Sequence, residues 1–115
     1  MARSWLREQR RLVYASTVVV EYIRYAIPAD QAAAFEDAYH RAGVILSADE
    51  HCLRHEVSRG IENPDRYIVR IEWDSVEGHE HGFRKSPAFG EFFALVKPFF
   101  DAIEEMTHYT PATSD

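Results

Sequence analysis

The chain has 115 residues, room for one domain with one core and one pocket, and too few for two lobes around a cleft. Hydrophobic residues make up 46% and charged residues 28%, a balance that argues against disorder. The formal net charge of −6 argues against a nucleic-acid partner, and the apolar run Val18–Val20 is too short to span a membrane. One cysteine, Cys52, excludes an intrachain disulfide and a Cys-rich zinc site, and fits a reducing, cytoplasmic compartment. Aromatic residues reach 13%, which supplies large flat surfaces for a core, an interface or a pocket wall.

Residues 1–16 read as a basic surface arm carrying Arg3, Arg7, Arg10 and Arg11, without the apolar run of a secretory signal. Thr17–Ala26 is β-branched and aromatic and predicts a first strand. Pro28 ends it, and Asp30 is a plausible cap for a helix over about 31–42. There Phe35, Ala38, Tyr39 and Ala42 fall at helical spacing before Gly43, the expected stop. His51–Arg59 alternates and predicts strand two. The turn Gly60–Asp65 leads into strand three, Arg66–Trp73.

Ser75 is placed to cap a short helix reaching about Arg84. Ser86-Pro87 opens a longer helix, whose stripe is Phe89, Phe92, Phe93, Val96, Phe100 and Ile103. Pro98 should kink or end it. Glu105–Tyr109 predicts strand four, and residues 111–115 a tail.

The order β-α-β-β-α-β predicts a ferredoxin-like α+β fold with both helices on one face of an antiparallel sheet. The covered face is expected to hold Val18, Val20, Tyr22 and Arg24, then Leu53, His55 and Val57, then Tyr67, Val69, Ile71 and Trp73. The open face would then hold Val19, Glu21, Ile23, Tyr25, Cys52, Arg54, Glu56, Ile68, Arg70 and Glu72. Apolar residues mixed with charges of both signs predict a two-fold homodimer through that face.

Several stretches resemble the antibiotic biosynthesis monooxygenase domain family. They are Pro28 after strand one, Cys52-Leu-Arg-His-Glu on strand two, and Ile71-Glu-Trp-Asp-Ser ending strand three. Ser86-Pro-Ala-Phe-Gly-Glu-Phe-Phe and Lys97-Pro-Phe-Phe continue the match along the second long helix. The resemblance covers residues 17–110. It implies a dimeric α+β barrel with a pocket between sheet and helices in each protomer. It also implies oxidation of a phenol- or quinol-like small aromatic by O₂, with no flavin, metal or haem as cofactor.

Candidate catalytic residues are Trp73, at the family's aromatic pocket position, with His79 and His81. Two residues apart on a helix, these histidines splay to opposite sides, so one faces inward. His81 is favoured over His79 as the inward base. Candidate substrate-binding residues are Tyr22, Arg24, His55, Tyr67, Phe83, Phe89, Phe93 and His108. His40 and His51 read as surface residues, and no metal-ligand pattern stands out.

Two alternatives stay open. One is haem binding and degradation, in which a helix histidine ligates iron; that branch also uses an Asn on strand one, where Thr17–Ala26 has none. The other is a non-catalytic ligand-binding dimer.

Overall fold

The computed structural model describes residues 18–113. The expected arm, residues 1–16, lies outside them. Four strands form one antiparallel sheet: β1 (Val19–Ala26), β2 (Cys52–Arg59), β3 (Arg66–Trp73) and β4 (Ile103–Tyr109), in the order β2-β3-β1-β4. Helix α1 (Ala32–Ser47) joins β1 to β2, and α2 (Phe89–Val96) lies between β3 and β4. This is the ferredoxin-like arrangement that the element order predicts. Among the described residues, no helix is long and apolar enough to cross a membrane.

The two long helices bury their apolar stripes on one side of the sheet. Phe35, Ala38, Tyr39, Ala42 and Leu46 of α1 and Phe92 and Val96 of α2 pack with Ile23, Tyr25, Tyr67, Val69, Ile71 and Trp73. Phe35 sits at the centre. Its ring lies 4.8 Å from Tyr25, 5.0 Å from Tyr39, 4.7 Å from Tyr67 and 5.3 Å from Phe99. The Tyr25 and Tyr39 hydroxyls satisfy each other at 2.6 Å. Burial pushes both up, Tyr25 to about 12, so they stay protonated.

Strand β1 faces the opposite way from expectation. Val19, Glu21, Ile23 and Tyr25 pair with Trp73, Ile71, Val69 and Tyr67 and lie under the helices. Val20, Tyr22 and Arg24 therefore belong to the open face. A strand's side-chain period is 2, so one wrong residue reverses the whole set. The misleading residue is Glu21, a carboxylate on the buried side. Cys52 also moves to the covered side, opposite Trp73, because the β2 register slips between Cys52 and Arg54. Leu53 sits at that irregularity and is 48% exposed. Strand β3 keeps the expected faces.

The helices differ in their ends. Helix α1 runs through Gly43 to Ser47, so Gly43 is not its stop. A Cβ there would lie 2.8 Å from the His55 ring, so glycine serves the close approach of β2. Asp30 sits in a short 3-10 turn, and the residue before α1 makes no side-chain cap bond. Helix α2 starts at Phe89, about a turn after Ser86-Pro87. Pro98 lies where it tightens into the 3-10 segment Lys97–Ala102.

Candidate functional site

An elongated cavity of about 580 Å³ lies between the sheet and α2. All six residues of the predicted stripe line it, but from three elements: Phe89, Phe92, Phe93 and Val96 from α2, Phe100 from the 3-10 segment and Ile103 from the start of β4, not from one helix as expected. Phe83 completes an aromatic run, its centroid 5.5 Å from Phe89 and 5.1 Å from Phe92. Exposed Arg84 and Lys85 and half-buried Glu80 mark the rim. Within this apolar lining stand two buried polar side chains, Glu21 and His79.

Each is held by its element. Glu21 is on the covered side of β1, at mid-sheet. The Trp73 indole Nε1–H, at the end of β3, donates to Glu21 Oε1 at 3.1 Å. His79 sits on a wide helical turn, Gly78–Gly82, with i→i+5 bonds. Ser75 caps the start of that turn as expected, its Oγ accepting from the Gly78 N–H at 2.8 Å. The His79 ring stacks on Trp73 at 4.5 Å and 12°. Its Nε2 lies 3.3 Å from Glu21 Oε1, and its Nδ1 is 2.8 Å from Nε2 of His108 on β4.

Two glycines let this turn close. A Cβ at Gly78 would come within 2.9 Å of the His51 ring, and one at Gly82 within 2.4 Å. The turn thus wraps His51, whose Nδ1 is bonded to Asp74 Oδ2 at 2.8 Å. That bond pushes the His51 imidazole up. His51 is therefore more than a surface histidine: it wedges the turn that carries His79.

Burial dominates the electrostatics. It pushes the Glu21 carboxyl up to about 7, against the Trp73 hydrogen bond and the nearby Arg84 charge. It pushes His79 down to about 3, with Arg84 and His108 acting in the same direction. Near neutral pH the site therefore holds a neutral imidazole beside a carboxyl poised between its two forms. A group with its midpoint near the working pH suits proton transfer.

The sequence-derived residues divide. Phe83, Phe89 and Phe93 line the cavity. Trp73 and His108 stand behind it, bonded to Glu21 and His79. The expected preference for His81 is corrected: His81 is exposed and faces a separate shallow cleft with His51, Asp74 and Ser75, while His79 points inward. The expected splay of the two histidines holds, with the roles exchanged. Tyr22 and Arg24 leave the pocket with the reversed β1 face. Tyr22 packs edge-on against Tyr109, and Arg24 pairs with Glu105 at 3.5 Å.

His55 and Tyr67 line a different groove, between α1 and β2. There Ser47 Oγ lies 2.8 Å from His55 Nε2, and the Tyr67 hydroxyl donates to Glu36. Glu21 is the residue that sequence reasoning missed. The available signal was a carboxylate inside a strand whose both faces are apolar, together with an indole N–H that needs an acceptor once buried.

The model of the antibiotic biosynthesis monooxygenase family matches residues 18–95. The chain belongs to that family. It is 32% identical over 75 residues to the uncharacterized protein YczJ of Bacillus subtilis, covering 65% of this chain and 79% of YczJ. Solved structures share the fold. A conserved protein from Methanosarcina mazei Go1 has a TM-score of 0.71 at 17% identity, covering 86% of this chain and 97% of its own. SnoaB, a cofactor-independent oxygenase from Streptomyces nogalater, has a TM-score of 0.64 at 15% identity, covering 86% and 95%.

The haem alternative meets a poor fit in these residues. His79 has one ring nitrogen on His108 and the other facing Glu21, and His81 lies outside the cavity. Neither presents a free nitrogen to an iron inside it.

Proposed function

We propose that this protein is a cofactor-independent monooxygenase that oxidises a phenol- or quinol-like aromatic with O₂, and that Glu21 is its base. The observation that carries this is a carboxyl buried inside a cavity walled by phenylalanines, where burial pushes it up to about 7. At about 580 Å³ the cavity falls within the ~300–1,000 Å³ of small-molecule sites. Aromatic walls favour a flat aromatic substrate by stacking and edge contacts. Family membership supports the same reading, as does the likeness in fold to SnoaB.

The chemistry needs little beyond this. Glu21 takes the phenolic proton, and the anion's charge spreads to a ring carbon that bears hydrogen. That carbon gives one electron to O₂, and the two radicals combine into a C–O bond. The resulting peroxide takes up a proton, and its O–O bond breaks with loss of water, leaving a carbonyl. One oxygen atom ends in the quinone and one in water. The protein binds, deprotonates and keeps bulk water away.

The test is O₂ uptake by the purified protein with a panel of phenols and hydroquinones, in the presence of a metal chelator. Uptake coupled to quinone formation is expected. A panel-wide absence of uptake would overturn this reading and favour the ligand-binding alternative.

We further propose a homodimer through the open sheet face, with the membership of that face corrected. It presents Tyr22, Arg24, Ile68, Arg70, Glu72, Glu105 and Tyr109, with Arg54 and Glu56 from β2. Arg70 is 2.7 Å from Glu72, and Arg54 is 3.2 Å from Glu56. Glu72 is only 2% exposed, and among the described residues its Oε1 has no hydrogen-bond partner. Arg70→Glu is expected to shift the protein to monomer in sedimentation equilibrium, because it sets like charge against Glu72 in a dry layer. A wild-type protein that sediments as a monomer at micromolar concentration sinks the proposal.

A further inference from the structure

Glu21 is 4% exposed, and its cavity is closed further by any aromatic that fills it. A base so placed needs a way to lose the proton it gains. Behind it stands a line of groups that leads away from the cavity. His79 Nε2 faces Glu21 Oε1 at 3.3 Å. His79 Nδ1 meets His108 Nε2 at 2.8 Å. His108 is half-buried, lies opposite Glu21 in the β1–β4 ladder, and belongs to the edge strand. We propose that His79 and His108 form a proton relay from Glu21 to solvent at the β4 edge of the sheet. This rests on the reading of Glu21 as the base.

The hydrogen-bond inventory of the three groups supports it. With Glu21 protonated, Oε1–H donates to His79 Nε2, His79 Nδ1–H donates to His108 Nε2, and His108 carries its own proton on Nδ1. With Glu21 ionised, His108 Nε2–H donates to His79 Nδ1, and His79 Nε2–H donates to Glu21. Both links of the line, Glu21 to His79 and His79 to His108, have one donor and one acceptor in each state. Passing from the first to the second moves the Glu21 proton to His79 Nε2 and the Nδ1 proton of His79 to His108 Nε2. The Nδ1 proton of His108 leaves to solvent. One proton is released, no ring turns over, and no imidazolium is left inside the protein. The Trp73 indole donates to Oε1 in both states.

The other ionisable groups around Glu21 do not join the line. They are Arg84 just after the turn, Tyr25 along β1, Tyr39 from α1 and Cys52 from β2. Burial holds the two tyrosines and the cysteine protonated.

The decisive measurement uses the full chain without substrate. The ¹⁵N shifts of both imidazoles and the ¹³C shift of the Glu21 carboxyl are followed by NMR from pH 6 to 8.5. The expected result is a change of tautomer at His79 and His108, Nδ1–H to Nε2–H, with the same midpoint as the Glu21 carboxyl. Tautomers that stay fixed while Glu21 titrates would overturn the relay, whatever the turnover.

His108→Phe keeps the ring volume and removes the exit. With a phenol that the wild-type protein oxidises, kcat should fall at least ~10-fold at unchanged KM, and imidazole buffer should restore part of it. A loss that imidazole does not restore counts against the relay. Coupled tautomers in a protein that oxidises no phenol would leave the relay in place and refute the oxygenase reading.

Discussion

Replacing Glu21 by glutamine is expected to lower aromatic oxidation by about 10²- to 10⁴-fold in kcat, the usual worth of a positioned base. The amide matches the carboxyl in shape, and its oxygen still accepts the Trp73 indole N–H, so the cavity is kept. The same variant carries a stability signature that needs no substrate. The native Glu21 carboxyl holds its proton up to about pH 7, whereas its ordinary value is 4.5. Between those values the native state keeps a proton that the unfolded chain has lost. Wild-type stability from this group is therefore present at low pH and drains away as pH rises toward 7.

Glutamine has no such proton. The stability of Glu21→Gln relative to wild type should therefore rise between pH 4.5 and 7 and level off above. At about 1.4 kcal/mol per pH unit, the rise is about 3 kcal/mol. His79, pushed down to about 3, is neutral across this range in the wild type and drops out of the comparison. Urea unfolding of both proteins at pH 5 and pH 8 measures it. An equal gap at the two pH values would show that Glu21 is an ordinary carboxylate and no base.

Phe35→Ala is expected to cost ~3–5 kcal/mol, the range for emptying an aromatic site in a core. Phe35 is fully buried and touches four aromatic rings, from α1, β1, β3 and the 3-10 segment after α2. These neighbours come from several elements and cannot all close on the gap. Against a whole-domain stability of about 5–15 kcal/mol, the loss is large enough to appear as a clear fall in the urea midpoint. A fall below ~1 kcal/mol would mean that the core collapses onto the vacancy and that the packing around Phe35 is loose.

Much of this architecture is determined by the sequence alone. The β-branched run of β1, the turn at Asn63-Pro64-Asp65 and the Pro98 break each act through local backbone preference, so the element order and fold class follow from them. The α2 stripe is legible for a similar reason. Phe89, Phe92, Phe93 and Val96 at helical spacing need a common partner, and they find the cavity.

Which side of β1 is buried, and with it the site, is settled by contacts between elements far apart in the chain. Both alternations of Val18–Tyr25 carry apolar residues, so period 2 does not choose between the two faces. The choice is made by the ladder that seats Ile23 and Tyr25 opposite Val69 and Tyr67. Glu21 goes inside with them because Trp73, 52 residues away, supplies a donor. His79 and His81 show the same limit. Local spacing sends them to opposite sides, but which one turns inward depends on the His51 wedge between two glycines and on the Trp73 ring that His79 stacks upon. A buried charge is settled by partners from distant elements, and those partners become neighbours only in the folded chain.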